Sequence, residues 1–284
     1  MNKQVTDPRL TPARGDLAAA CLKGQIKAPR YVEGREVRVK EPVTSLFREA
    51  SPVAPMDSQL LMGEGFTIYD EHDGWAWGQS AYDDYVGYVA ADHLSRENVP
   101  PTHRVSVLST FIYEAPDIKS AVVSQPGLNA RLVLGVREGD FYPCQGGGYI
   151  FAAHCVEADQ QAADFVEIAA HLTGVPYLWG GRSALGVDCS GLVSMGLMAA
   201  GKACPRDADM QEEALGEGVA EGAAFRRGDL LFWPGHVGIM ADDARMLHAS
   251  GHHMQVVVES LGKTTERIGP PRTIKRINSV SQKR

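Results

Sequence analysis

The sequence predicts an α+β protein in which small all-β barrels precede a mixed domain of helices and antiparallel strands. Three observations point there. Residues 37–98 alternate apolar and polar positions between closely spaced turn residues. From Asp159 the apolar period lengthens to that of a helix. After Arg227 it shortens again into strands joined by tight turns.

In chain order, residues 1–36 form a lead-in with one short expected helix, Asp16–Leu22, followed by a break at Pro29. Residues 37–99 are expected as a first barrel. Val37 and Val39, Phe66 and Ile68, Trp75 and Trp77, and Val86 and Tyr88 each mark a strand, with turns at Gly63, Gly65, Asp73-Gly74 and Asp83-Asp84. Residues 100–157 repeat the pattern more faintly. Ala130–Val136 and Asp140-Phe141-Tyr142 match strands of the first barrel, and Gly148-Tyr149-Ile150-Phe151 aligns with Tyr85-Val86-Gly87-Tyr88. Pro100-Pro101 is the linker.

Residues 158–284 form the last domain. It opens with an expected helix from Asp159, carrying Ala162, Phe165, Val166, Ile168, Ala169 and Leu172 on one face and stopped by Gly174. Strands run from Leu230 to Val258, and Gly269-Pro270-Pro271 leads into a finishing strand and a basic tail.

The chemistry centres on Cys189. Gly180, Gly181 and Gly186 break regular structure ahead of it, and an apolar helix follows from Cys189 onward. A thiol at a helix N-terminus meets unpaired N–H groups and the positive end of the helix dipole, which favour its thiolate. Behind it, His236 opens a strand and His248 lies on the next, past the Asp242-Asp243 turn. A Cys on a helix start with His on packed strands suits acyl transfer through a covalent intermediate. His236 would take the thiol proton, and His248 would hold its imidazole in the correct tautomer. That pairing demands that both histidines share one face. Direct opposition would pair Met240 with Ala244 across a three-residue connection.

Five ordered motifs carry a resemblance: Pro176-Tyr177-Leu178-Trp179-Gly180-Gly181, Asp188-Cys189-Ser190-Gly191, Gly228-Asp229-Leu230, His236-Val237-Gly238-Ile239 and His248-Ala249. Over about residues 160–278 they resemble the NlpC/P60 cysteine peptidases, which implies a papain-like fold and hydrolysis of peptidoglycan stem peptides. The segment from Gln59 to Val89 resembles a bacterial SH3 domain, so the front half is expected as two SH3-like barrels, the second degenerate. The resemblance implies that the Tyr177 hydroxyl joins the Cys189 N–H in holding the oxyanion. It also implies that Asp207, Ser190, Glu64 and Tyr85 recognise the free N-terminus of a muropeptide. From its charge alone, Arg182 is a candidate for a substrate carboxylate.

The implied reaction is cleavage of the γ-D-glutamyl–diamino acid bond in peptides with a free L-Ala amine. The third residue is left open between diaminopimelate and Lys. Two rivals stand beside it: an acyltransferase with the same Cys-His parts, and a non-catalytic wall-binding protein.

No metal or organic cofactor is expected. His248, His252 and His253 approach a ligand spacing, but Gly251 interrupts what would have to be a helix. Net charge is −7, with nine Lys/Arg against four Asp/Glu in residues 1–40. The body is therefore acidic, which argues against general nucleic-acid binding. No stretch reaches membrane-spanning length. Five cysteines without paired spacing, and no visible signal peptide, suggest a reducing, cytoplasmic setting and a role in cell-wall recycling. Oligomeric state carries no sequence signal.

Overall fold

A computed structural model describes residues 7–220 and 222–277. The architecture is α+β, strand-rich in the front half and mixed behind it. The described residues fall into two compact units divided between Asp159 and Gln160, close to the expected domain boundary.

In the first unit the expected helix Asp16–Leu22 is instead a buried strand, Leu17–Ala19, followed by a single 3₁₀ turn, Ala20–Leu22. Leu17–Ala19 pairs with Ala13–Arg14 on one side and Tyr31–Val32 on the other. A three-residue apolar run buried on both faces has no period to distinguish it from a helix.

The first barrel is a seven-stranded sheet. Its order is Leu94–Ser95, Arg35–Val39, Gly65–His72, Trp75–Ser80, Val86–Ala90, Val43–Phe47 and Met56–Leu61. The Asp73-Gly74 hairpin turn has both φ angles positive, 48° and 80°, as a type I′ turn requires. Gly65 opens a strand rather than forming a turn.

The second barrel splits into two small sheets around a core of Val105, Ile112, Ala130, Leu132, Leu134 and Ile150. Its repeat of the first barrel is clearer in space than in sequence. In both, a strand runs into a 3₁₀ turn, Ala91–His93 or Ala152–His154. In both, the turn's histidine Nδ1 lies 2.7 Å from a threonine hydroxyl, Thr44 or Thr110. This matches Gly148 with Gly87, a shift of two residues from the alignment expected above.

The second unit begins its helices later than expected. Helix α1 is only Phe165–Ala170, because the Asp164 side chain caps it by accepting from Val166 N–H at 2.8 Å. Helices α2 (Cys189–Ala199) and α3 (Ala208–Ala214) follow. A six-stranded antiparallel sheet comes next, ordered Glu217–Gly218, Thr273–Arg276, Asp229–Trp233, His236–Met240, Arg245–Ser250 and Gln255–Ser260. Helix α2 packs on the two strands that carry the histidines. The sequence reading passes over helix α4, Leu261–Ile268, which is closed by Gly269 at φ 82°. The basic tail beyond Ile277 lies outside the described residues.

Candidate active site

Cys189 is placed by a buried network centred on Asp188. As N-cap of α2, Asp188 accepts from Gly191 N–H at 2.7 Å and from Gly180 N–H at 2.8 Å. Arg206 grips both of its oxygens, at 3.1 and 2.7 Å, and also donates to the Ser190 hydroxyl at 2.9 Å. That pair is almost fully enclosed, with side-chain exposures of 1% and 9%. Truncating one partner leaves a buried charge with lost bonds, so Arg206→Met is expected to cost about 3–5 kcal/mol in urea unfolding. The loop against the helix is equally tight. A Cβ at Gly191 would lie 2.1 Å from the Gly181 carbonyl oxygen, so no side chain fits without moving the backbone.

The two histidines share a sheet face, as their pairing demands, but in a different register. Met240 pairs with Met246, and Ile239 with Leu247. His248 therefore faces Gly238 and meets His236 diagonally rather than directly. Asp242 accepts from Ala244 and Arg245 N–H and closes the connection one residue later than expected. His236 Nε2 lies 2.9 Å from His248 Nδ1. His248 Nε2 lies 2.8 Å from Glu259 Oε1, on the neighbouring strand. Arg267 of α4 binds both oxygens of Glu259, and His253 Nε2 lies 3.5 Å from Oε2.

Electrostatics correct one expectation. Burial pushes the Cys189 thiol up to about 11, helped by the Asp188 carboxylate, against hydrogen bonds from Val237 and Ser190 N–H. Burial likewise pushes His236 down to about 4, with His248 and Arg267 adding to it. Desolvation outweighs the helix terminus, so the resting pair is a neutral thiol and a neutral imidazole. The Val237 N–H bond sets the sulfur at the head of the strand that carries His236.

This has a consequence for stability. The unfolded His236 titrates near 6.5 and the folded one near 4, so the unfolded chain binds more protons between those values. Stability is then lost as pH falls through that window, by on the order of 3 kcal/mol. Glu259 adds to the loss at lower pH. Despite its burial, bonds from Arg267 and His248 hold its carboxyl down at about 2, against an ordinary 4.5. Thermal unfolding at pH 7 and pH 4.5 should show the decline, and His236→Asn should flatten it.

The other expected residues separate. Tyr177 is half-buried, and burial raises its phenol well above the ordinary value, with the Cys189 and Asp188 charges contributing. It is thus a neutral donor beside the thiol. Ser190 donates to Asp188 Oδ1 at 3.2 Å and accepts from Arg206, keeping one lone pair for a further donor. Asp207 is the half-buried N-cap of α3. Arg182 is fully buried, with Nη2 3.7 Å from the Met198 sulfur. It cannot offer its guanidinium to a substrate, which removes that role. In the first unit, Glu64 and Tyr85 are both buried, and Glu64 Oε2 accepts from Leu61 N–H at 3.0 Å. Sequence reasoning missed Arg206 and Glu259. The only local hints are that Arg206 stands next to a candidate site residue and that Glu259 ends an apolar strand.

Comparison with known proteins gives the family and the fold. The NlpC/P60 family matches residues 174–268, and the bacterial dipeptidyl-peptidase SH3 domain matches residues 46–94. A dipeptidyl-peptidase 6 from Lysinibacillus sphaericus is 39% identical, over 77% of this chain and 89% of the relative. A gamma-D-glutamyl-L-lysine dipeptidyl-peptidase from Bacillus subtilis (strain 168) is 28% identical, over 74% and 77%. An NlpC/P60 family protein from Bacillus cereus shares the fold with a TM-score of 0.73 at 19% identity, covering 85% of this chain and 99% of its own. This chain belongs to the NlpC/P60 peptidase family, with an SH3-bearing front half.

Proposed function

We propose that this protein is a cysteine endopeptidase that hydrolyses the γ-D-glutamyl–diamino acid bond of peptidoglycan stem peptides. The observation that carries the reading is the His236–His248 hydrogen bond, on the strand whose Val237 N–H reaches the Cys189 sulfur. The name of the Bacillus subtilis relative, a gamma-D-glutamyl-L-lysine dipeptidyl-peptidase, supports the bond class, and that of the Lysinibacillus sphaericus relative supports a peptidase.

In the proposed reaction, His236 takes the Cys189 proton as the sulfur attacks the γ-glutamyl carbonyl. The Cys189 N–H and the Tyr177 hydroxyl stabilise the oxyanion, each worth on the order of 3 kcal/mol of barrier. Collapse breaks the C–N bond, and the imidazolium gives its proton to the departing amine. Water, deprotonated by His236, then attacks the thioester and releases the γ-carboxylate and the free thiol. Because the resting pair is neutral, the proton moves with the attack rather than before it. Ser190 and Asp207 are assigned to the substrate's N-terminal ammonium, whereas Glu64 and Tyr85 are enclosed within the first unit. A free amine marks a soluble fragment rather than intact wall, which fits recycling in the cytoplasm.

Tyr177→Phe tests the oxyanion assignment. It should lower kcat by about 10²-fold with KM little changed. An unchanged kcat would remove Tyr177 from the mechanism.

A further inference from the structure

His236 can act as a base only if the nitrogen facing the thiol is bare. Imidazole has two nitrogens, and in the neutral ring one carries the proton. The His236–His248 contact joins Nε2 to Nδ1, and by itself it permits either direction of donation. If His248 donates through Nδ1, His236 Nε2 is the acceptor and the His236 proton sits on Nδ1. Because Nε2 is taken by His248, Nδ1 is the nitrogen left to act as base, and once protonated it could not accept from Cys189.

The far end of the line removes this ambiguity. His248 Nε2 lies 2.8 Å from Glu259 Oε1, and a carboxylate only accepts. His248 must then carry its proton on Nε2 and present a bare Nδ1. His236 in turn must donate from Nε2, leaving its Nδ1 free. Arg267 keeps the carboxylate ionised and oriented by binding both oxygens, and Glu259 is mostly enclosed, with a side-chain exposure of 12%.

We propose that Glu259, clamped by Arg267, is a positioning residue that sets the direction of the hydrogen bonds through His248 and so the working tautomer of His236. It touches neither substrate nor thiol. The proposal rests on the catalytic reading of Cys189 and His236, and it extends the site to the strand Gln255–Ser260 and helix α4. The other charged or titratable groups against the line are His253, after the strand Arg245–Ser250, and Arg267 on α4. None of them offers His248 Nε2 an alternative anion.

The test is a pair of variants of the full chain, read by kinetics on L-Ala-γ-D-Glu-Lys and by ¹⁵N NMR of the imidazoles. Glu259→Ala removes the acceptor and should lower kcat by about 10- to 100-fold with KM nearly unchanged, as losing an orienting partner does at metal-bound histidines. In its spectrum the wild-type pattern, His236 protonated at Nε2 and bare at Nδ1, should give way to a mixture. Glu259→Gln keeps an amide oxygen that can accept from His248. It should retain the wild-type pattern and recover most of the lost kcat.

Wild-type kcat in Glu259→Ala, or a lower kcat with the His236 pattern intact, would overturn the proposal. So would a Gln variant as impaired as the Ala variant yet equally well folded. The NMR arm stands even without turnover. Cys189→Ala in the same assay separates the two levels. Hydrolysis surviving that variant would overturn the catalytic reading itself, whereas its loss beside an active Glu259→Ala would overturn only the role of Glu259.

Discussion

Cys189→Ser is expected to lower kcat/KM on a stem peptide by on the order of 10⁵-fold or more, to the limit of detection. A hydroxyl in place of the thiol is a far weaker nucleophile and holds its proton far more tightly. The substitution is nearly isosteric at a site already lined by hydrogen bonds from Val237 and Ser190 N–H. The thermal midpoint should therefore move by only about 2 °C. Loss of activity with a collapse in stability would be uninformative about the nucleophile, so the two are measured on the same preparation. Retained turnover in a stable variant would rule out covalent catalysis at Cys189.

A second large effect is expected at the substrate's amine. Asp207 is the N-cap residue of α3 and follows the buried Arg206, which binds Asp188 and Ser190 on either side of the nucleophile. Its carboxylate and the remaining Ser190 lone pair suit an ammonium, and acetylation removes that charge while adding bulk. N-acetylated peptide should then react at least about 30-fold more slowly in kcat/KM than the free amine, the equivalent of about 2 kcal/mol for a truncated charge pair. Asp207→Ala should bring the two substrates close together by losing activity on the free amine alone. Equal rates on both peptides in the unaltered protein would mean that the amine is not read at all.

The site divides into parts the sequence exposes and parts only packing decides. Cys189, His236 and His248 stand in ordered motifs, and the face shared by the two histidines follows from strand alternation. Their diagonal register does not follow, because it depends on how Asp242 folds the connection. Glu259 becomes a partner of His248 only through the register of a third strand, and Arg267 reaches it from a helix whose large apolar residues are Leu261 and Ile268 alone. Of the two arginines near the nucleophile, the sequence singles out Arg182, by its charge alone, and passes over Arg206. Burial decides between them: Arg206 forms the ion pair that anchors Asp188, and Arg182 is sealed beneath α2. In the front half, the first barrel was legible from its alternation, and the second from a fainter echo whose register the Thr110–His154 contact corrects. The Leu17–Ala19 strand was misread because its partners, Ala13–Arg14 and Tyr31–Val32, carry too few residues to show a period.

The most direct measurement is product analysis by mass spectrometry after incubation with L-Ala-γ-D-Glu-Lys, or with diaminopimelate as third residue, in ¹⁸O-labelled water. Hydrolysis through a Cys189 thioester predicts free diamino acid and L-Ala-D-Glu carrying one ¹⁸O in the γ-carboxyl group. Label in any other position, cleavage at the L-Ala amide, or an L-Ala-D-Glu product formed only when an added amine accepts the acyl group would contradict it.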